Sequence, residues 1–304
     1  MNSALQQMVR DCQSWTDKGK VADYIPELSK ANPSQLGVSI TQLDGTEFYA
    51  GNSRDLFTIQ SISKVSNFLL ALEDKGYEAL KHQIGVLPTI RGFNSILELD
   101  IENEHKPLNP FINAGAMVTL TFIKGKNNDE KFSRVINFMS QMMGEELSIN
   151  EAVYQSERET GNRNRALAYY MKSTGILTED VESLLDLYFK ICSVQVHCGH
   201  ISRFAAVLAN QGRDLNNEMS LIKPYHCRVA KAIMANCGMY DASGEFAVKV
   251  GLPAKSGVGG GIMAIASGKM GIGVMGPALD TRGNSMGGWQ LLERISDHYQ
   301  LSIY

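Results

Sequence analysis

The stretch FAVKVGLPAKSGVGGGIMAIASGKMGIGVM, residues 246–275, decides the fold class because it consists of short apolar runs separated by glycines. The runs FAVKVG, GIMAIAS and MGIGVM predict strands. A second strand region lies near the other end of the chain, in LGVSITQLDGTEFYAG, residues 36–51. Apolar and polar residues alternate there around Asp44-Gly45, a dipeptide typical of tight turns, so this region predicts a β-hairpin.

The chain between these two regions, from Ser61 to about Gly238, has apolar residues at helical spacing. The helical segments are SISKVSNFLLALEDKG, NDEKFSRVINFMSQMMG, TEDVESLLDLYFKICSV, HISRFAAVLANQG and PYHCRVAKAIMANCG, and SMGGWQLLERISDHY follows near the end. Thr178 is a suitable N-terminal cap for the third segment, and Gly212 is a suitable stop for the fourth.

Strands at both ends with helices between them predict an α+β protein. We expect one antiparallel sheet built from both chain ends, with flanking helices and a helical insertion. We expect the whole chain, residues 1–304, to form a single unit. Residues 1–60 and 239–304 form its sheet-containing subdomain, and residues 61–238 form its helical subdomain.

Charge and hydropathy exclude several classes of protein. The net charge is −3 and no basic block occurs, so the chain offers no electrostatic footprint for nucleic acid or an anionic membrane. No apolar run approaches the ~18–20 residues that span a bilayer. The N-terminal residues MNSALQQMVRDCQSWTDKGK lack the apolar core of a signal peptide. Five cysteines without a CxxC pair favour reduced thiols, and we expect a cytoplasmic protein.

Two short motifs have structural rather than chemical interpretations. Gly271–Gly276 matches GxGxxG, but Pro277 follows at once and too little chain remains for a dinucleotide-binding unit. The motif instead favours glycines in a strand packed closely against another element. His197 and His200 are spaced like metal ligands, yet no further cluster supplies the remaining ligands. They favour packing at a helix junction, and we expect no metal and no cofactor.

The motif Ser-x-x-Lys occurs twice, as Ser61–Lys64 and Ser220–Lys223, and about one or two copies are expected by chance. Pro224 pushes Lys223 away from helical geometry, so the second copy spans a loop and a helix start. The first copy opens an apolar helix, where residues three apart lie within reach of each other. The free N–H groups of a first helical turn also favour a developing oxyanion.

A serine hydroxyl paired with a lysine is a nucleophile only if the lysine is neutral. Burial on the apolar helix face would lower the pKa of Lys64 from ~10.4 towards 7–8. The alternative is a solvent-exposed lysine beside a capping serine. The segment Lys255-Ser-Gly257 favours catalysis, because serine–lysine acyl-transfer enzymes place a Lys-Ser/Thr-Gly strand along the far wall of the site.

Six segments closely resemble those of the serine-dependent glutaminases, in their short bacterial form. They are KVADYIPEL, FTIQSISKV, NPFINAGAM, QSERETGNRNRALAYYM, ANCGMYDASGEFA and VGLPAKSGVGGGI, which together extend over the chain from about Lys20 to Ser285. The resemblance implies the fold of serine β-lactamases and DD-peptidases and hydrolysis of L-glutamine to L-glutamate and ammonia. It also implies a homo-oligomer, either a dimer or a homotetramer.

When the roles of the family's residues are assigned to this chain by position, the resemblance implies that Ser61 is the nucleophile, Lys64 its base and Tyr240 a proton carrier. It implies that the Val258 N–H joins that of Ser61 in an oxyanion hole. The residues that it implies around the amino-acid end of glutamine are Tyr24, Asn113, Glu157, Asn164 and Tyr188. Their chemistry suits a zwitterion, because a carboxylate pairs with the ammonium group while amide and phenol groups donate to the carboxylate.

Two other functions stay open at this point. One is a β-lactamase or peptidase of the same fold, although such enzymes act after export and the expected signal peptide is missing. The other is a binding protein that senses an amino acid, although such a protein needs no nucleophile and this chain retains one.

Overall fold

A five-stranded antiparallel sheet forms the centre of the molecule, in the strand order β2-β1-β7-β6-β5. The structure is a computed structural model that describes residues 1–90, 92–99, 106–217 and 219–304. The strands are β1 (Gly37–Gln42), β2 (Glu47–Gly51), β3 (Phe57–Thr58), β4 (Gln195–Val196), β5 (Ala254–Ser256), β6 (Gly261–Ala266) and β7 (Met270–Met275), of which β3 and β4 form a separate pair.

Twelve α-helices are found among the described residues. They are α1 (Asn2–Cys12), α2 (Ser63–Lys75), α3 (Tyr77–Lys81), α4 (Asn113–Thr121), α5 (Asn128–Met143), α6 (Glu151–Thr160), α7 (Asn162–Ser173), α8 (Val181–Cys192), α9 (Cys198–Ala209), α10 (Pro224–Cys237), α11 (Ser243–Lys249) and α12 (Met286–Tyr299). In the part of the chain that the structure describes, no helix combines the length and apolarity that crossing a membrane requires.

The sheet is buried on both faces. Along β6, Ile262, Ala264 and Ala266 belong to a core shared with α1 and α12, whereas Met263 and Ile265 belong to the core of the helical part. Alternate residues of a strand point to opposite faces, so a strand between two helical layers is apolar throughout. This explains the unbroken apolar run GIMAIA and confirms the predicted α+β fold with an antiparallel sheet from both chain ends.

Helix α9 packs across β7, and the glycines of the GxGxxG motif make this contact possible. A Cβ at Gly271 would lie 2.1 Å from the Ala206 nitrogen, and one at Gly273 would lie 2.4 Å from the Cys198 carbonyl oxygen. Both distances are far below van der Waals contact, so a side chain at either position would push the helix off the sheet. The interpretation of these residues as strand glycines under close packing is confirmed.

Helix α9 begins at a pair of stacked histidines. His197 is the N-terminal cap, and its Nδ1 accepts the His200 N–H while the His200 Nδ1 accepts the His197 N–H, each at 3.3 Å. The rings stack with centroids 3.6 Å apart, and the Glu145 carboxylate accepts from the His200 Nε2 at 2.5 Å. The predicted packing of these histidines at a helix junction is confirmed.

Glu145 therefore joins the two histidines in a group whose ligand atoms lie within 4.8 Å of one another. No local sequence pattern predicts this third residue, because it lies more than 50 positions away. The hydrogen bonding does not suit a metal ion. Each Nδ1 accepts a backbone N–H, so the proton of each neutral ring is on Nε2, the atom a metal would need.

Two local predictions are wrong. FAVKVG is not a strand, because Phe246 to Lys249 belong to α11; this places the Phe246 ring against Trp289 at a centroid distance of 4.9 Å and leaves Val248 exposed. Thr178 does not cap α8, since the carboxylate of Asp180 accepts the Ser183 N–H instead.

The predicted stop at Gly212 is confirmed. Helix α9 ends at Ala209, and the N–H groups of Gln211 and Gly212 bond back to the Leu208 and Val207 carbonyls, which closes its last turn.

The remaining helix predictions agree with the structure. Pro224 begins α10, and Lys223 before it has extended backbone angles and caps the helix. The second Ser-x-x-Lys copy thus spans a loop and a helix start, as predicted. The five cysteines are free and buried, in agreement with reduced thiols. All five strands of the central sheet lie within 1–60 and 239–304, but the division into two subdomains stays a prediction.

Candidate active site

Ser61 lies where the edge of the sheet meets the helical part. It is the middle residue of a 3-10 turn, Gln60–Ile62, which continues directly into α2. Only 6% of Ser61 is exposed. The first N–H groups of such a turn have no partners within the helix, so they are free to bind an anion. The sequence predicts this placement at the start of an apolar helix, and the structure has it there.

Two residues next to the site have backbone angles that L-amino acids rarely adopt. Gln60, immediately before Ser61, has φ +47°, and Tyr240 has φ +58°. Neither is a glycine, so each conformation costs about 1–3 kcal/mol and persists only because its surroundings enforce it. Strain of this kind at two adjoining positions is typical of a functional site.

Lys64 lies one turn after Ser61 and only 1% of it is exposed. Its Nζ donates to the Asn113 Oδ1 at 2.6 Å. Burial lowers the pKa of its amine from 10.5 to about 8, although the charge of Glu157 acts in the opposite direction. At pH 7 about a tenth of such amines are neutral. The alternative of an exposed lysine is therefore wrong, and Lys64 is available as a base close to neutral pH.

Asn113 connects the helices around this lysine. Its Oδ1 accepts from Lys64 and also from the Tyr188 hydroxyl, at 3.2 Å, while its Nδ2 donates to the Asn164 Oδ1 at 2.8 Å. Asn113 begins α4, Asn164 lies in α7 and Tyr188 lies in α8. One amide thus fixes side chains from three helices around the Lys64 amine.

Glu157 is a carboxyl group buried in the same pocket, with 4% exposure. It accepts a hydrogen bond of 2.6 Å from the Gln60 Nε2. Burial raises the pKa of Glu157 to about 8, while the Gln60 hydrogen bond and the Lys64 charge act to lower it. Among the described residues its hydrogen-bond partner is the neutral amide of Gln60, and a ligand with an ammonium group would supply a cationic partner.

The opposite wall comes from Tyr240 and the turn after β5. Tyr240 is 1% exposed and burial raises its pKa, while interaction with the Ser61 hydroxyl acts in the other direction. Gly257 abuts the turn that holds Ser61, since a Cβ on it would lie 3.4 Å from the Ser61 nitrogen. Val258 follows with 5% exposure. The strand end and the start of α2 therefore present their backbones to the same pocket.

A cleft lies between these groups. Seven of the residues singled out in the sequence line it, namely Tyr24, Ser61, Asn113, Glu157, Asn164, Tyr188 and Val258. Tyr24 is 53% exposed and lies at the mouth, whereas the others are deeper. Lys64 and Tyr240 lie behind the lining, in contact with Asn113 and Ser61 respectively. The structure thus brings all nine residues together, although their roles stay predictions.

Nine further lining residues were not found from the sequence, among them Gln60, Phe93 and Cys192. Cys192 is four residues after Tyr188 in α8, so helical spacing alone would have placed it on the same face. Gln60 gives no such signal, because its importance comes from its contact with Glu157, 97 positions away. The Phe93 carbonyl accepts the Asn113 N–H at 3.0 Å, another contact between distant segments.

Fold and site together define a member of the serine β-lactamase-like class, with a Ser-x-x-Lys helix facing a Lys-Ser-Gly strand. Comparison with known proteins gives the family. The family model described as "Glutaminase" matches residues 19–304. A glutaminase of Clostridium tetani is 49% identical, with all of both chains covered. The chain therefore belongs to the glutaminase family.

Solved structures agree with this assignment. A Bacillus glutaminase crystallised in 4.3 M NaCl has a TM-score of 0.93 and 38% identity, covering 100% of this chain and 99% of that one. The Bacillus subtilis glutaminase in covalent complex with 5-oxo-L-norleucine, formed by reaction with 6-diazo-5-oxo-L-norleucine, has a TM-score of 0.89 and 37% identity. That match covers 100% of this chain and 99% of the other.

Proposed function

We propose that this protein hydrolyses the side-chain amide of L-glutamine to L-glutamate and ammonia, through an acyl-enzyme on Ser61 with Lys64 as the base. Family membership supports the reaction. The observation that carries the mechanism is the burial of the Lys64 amine one helical turn from a serine in the pocket, with a pKa of about 8. The covalent complex of the B. subtilis relative supports a nucleophile in a site of this kind.

The reaction begins when the neutral amine of Lys64 takes the Ser61 proton and Oγ attacks the carboxamide carbon of glutamine. The oxyanion lies between the N–H groups of Ser61 and Val258. Lys64 or Tyr240 then protonates the leaving nitrogen, the C–N bond breaks, and ammonia leaves a glutamyl ester on Ser61. Water adds to the ester carbonyl, and release of glutamate returns the proton to the Ser61 oxygen. These residues suffice for the chemistry without a metal or organic cofactor.

The amino-acid end of glutamine is held by the other lining residues. Glu157 binds the ammonium group, whose charge stabilises the ionised carboxylate in the buried pocket. Tyr24, Asn113, Asn164 and Tyr188 surround the same end, and the Tyr24 hydroxyl and the amide N–H groups can donate to the carboxylate. This arrangement selects a free amino acid rather than a peptide, because it offers partners for a charged ammonium group and a charged carboxylate on the same residue.

Two further expectations belong to this proposal: a cytoplasmic location, drawn from the cysteines, and a homo-oligomer, either a dimer or a tetramer, which the resemblance implies. The structure contains one chain, so it tests neither the location nor the oligomeric state. The mass of the purified protein in solution, measured by light scattering, tests the second, and a monomer would contradict it.

Replacing the nucleophile should abolish turnover. We expect Ser61→Ala to release no ammonia from L-glutamine while its thermal unfolding stays close to that of the wild type, because only one buried hydroxyl is removed. Ser66→Ala is the matched control, since Ser66 is also buried, in α2, and its hydroxyl bonds to the Ser63 carbonyl rather than facing the pocket. Wild-type ammonia release by Ser61→Ala would rule out the mechanism.

The same assay separates the rival functions when L-asparagine and a penicillin are included. Acylation by the penicillin without glutamine hydrolysis would favour a β-lactamase or peptidase. Tight glutamine binding without ammonia release would favour a binding protein.

Activity should rise with pH between about 7 and 9. The folded-state pKa of the Lys64 amine is lowered to about 8, so the base is protonated and inactive below this value and neutral above it. Glu157, with a pKa of about 8, also ionises over this range and adds to the rise. The measurement is kcat/KM against pH, with unfolding followed at each pH. A flat profile from pH 6 to 9 in folded enzyme would contradict the assignment.

Removing the buried carboxylate should weaken substrate binding more than it slows chemistry. A charged hydrogen bond to the ammonium group contributes about 1.5–3 kcal/mol, so Glu157→Gln should raise KM by roughly 10- to 150-fold with a smaller change in kcat. Glu151→Gln, in the first turn of the same helix and outside the pocket, is the control. A variant at position 157 with unchanged KM would show that another group binds the ammonium.

A further inference from the structure

Lys255 is a second buried lysine close to the reacting groups, and the proposed mechanism gives it no task. It is the middle residue of β5, and 0% of it is exposed. It does not line the substrate cleft. A fully buried lysine is rare because its charge loses solvation, so its presence needs a physical reason.

Lys255 shares a hydrogen-bond acceptor with Tyr240. Its Nζ donates to the Ser256 carbonyl oxygen at 2.6 Å, and the Tyr240 hydroxyl donates to the same oxygen at 3.1 Å. The Nζ also lies 4.3 Å from the centroid of the Tyr240 ring. A carbonyl oxygen has two lone pairs, so one oxygen accepts from both groups and fixes them relative to each other.

Tyr240 depends on such support. Its φ of +58° is strained, and its own carbonyl is held by the Ser243 hydroxyl at 2.8 Å. The ring packs against Phe93 at a centroid distance of 4.7 Å. These contacts place the ring, but the direction of the hydroxyl is set by the Ser256 carbonyl and by Ser61.

We propose that Lys255 is a positioning residue for the amide hydrolysis, whose amine holds the Ser256 carbonyl so that the Tyr240 hydroxyl stays beside Ser61. This inference rests on the proposed function, because it assigns Lys255 a part in delivering the proton to the leaving nitrogen. Lys255 touches neither substrate nor Ser61 and acts only through Tyr240.

The amine is suited to this task as a neutral donor. Burial, and then the nearby charge of Lys64, lower the pKa of Lys255 well below its usual value. A neutral amine keeps N–H groups for the Ser256 carbonyl and adds no second positive charge beside Lys64. The hydrogen bond, rather than the charge, is therefore the feature that a substitution must preserve.

The test replaces Lys255 with residues that fit the space but differ in their donors. Lys255→Met keeps the length and removes the N–H groups, so kcat should fall about 10- to 100-fold with KM little changed. Lys255→Gln keeps an N–H donor without a charge and should retain clearly more activity than Lys255→Met. The matched control is Lys231→Met, because Lys231 is a partly buried lysine that donates to the Ser267 hydroxyl outside the site.

A double-mutant cycle with Tyr240→Phe separates positioning from a general structural role. In the Tyr240→Phe background, Lys255→Met should change kcat by less than about twofold, because the hydroxyl that it positions is already gone. Thermal unfolding is measured for every variant. Where Lys255→Met does not fold, Lys255→Gln takes its place in the cycle, and its smaller loss should again vanish when Tyr240 is Phe.

Three results would overturn the inference: wild-type kcat in Lys255→Met, equal losses in both backgrounds, or Lys255→Gln as inactive as Lys255→Met. Failure of the proposed function looks different. It would appear in the wild type, as no ammonia released from glutamine, before any variant at position 255 is compared.

Discussion

The burial of ionisable groups at the junction of sheet and helices is the constraint on which the site depends. Lys64, Glu157 and Lys255 are each at most 4% exposed. Burial disfavours the charged form of every one of them, lowering the pKa of both amines and raising that of the carboxyl group. A lysine is a base near neutral pH only under these conditions, and the surrounding core supplies them.

Rigid elements keep these ionisable groups in place despite the free-energy cost of burying them. Ser61 and Lys64 lie at the start of α2, whose other side chains are packed in the helical core. The opposite wall is β5, paired with β6 in the central sheet. Strained backbone at Gln60 and Tyr240 is held between these two elements. The groups of the proposed mechanism therefore come from the helix start and the strand end, and the distance between them follows from the packing of the two layers.

Hydrogen-bonded amides and carbonyls make the site a connected network. Asn113 holds Lys64, Tyr188 and Asn164, while the Ser256 carbonyl holds Lys255 and Tyr240. Each of these acceptors lies at the beginning or end of an element, where the backbone leaves its regular pattern. A network of this kind specifies one arrangement of side chains, because a member left without its partner would be a buried, unsatisfied polar group.

The strands at both ends, most of the helices and the position of Ser61 one turn before Lys64 could be predicted from the sequence alone, because periodicity and short motifs are local properties. The prediction from the sequence is wrong at FAVKVG. Alternating apolar residues suit a strand there, but Phe246 lies in a helical turn and packs against Trp289. Resemblance to a family supplied Tyr24, Asn113, Glu157, Asn164, Tyr188, Tyr240 and Val258, which no local pattern distinguishes from ordinary polar or core residues. Three contacts could be seen only in the folded molecule: Gln60 with Glu157, Glu145 with the histidines of α9, and Lys255 and Tyr240 on one carbonyl oxygen. These contacts connect residues far apart in the chain, and packing rather than local propensity brings them together.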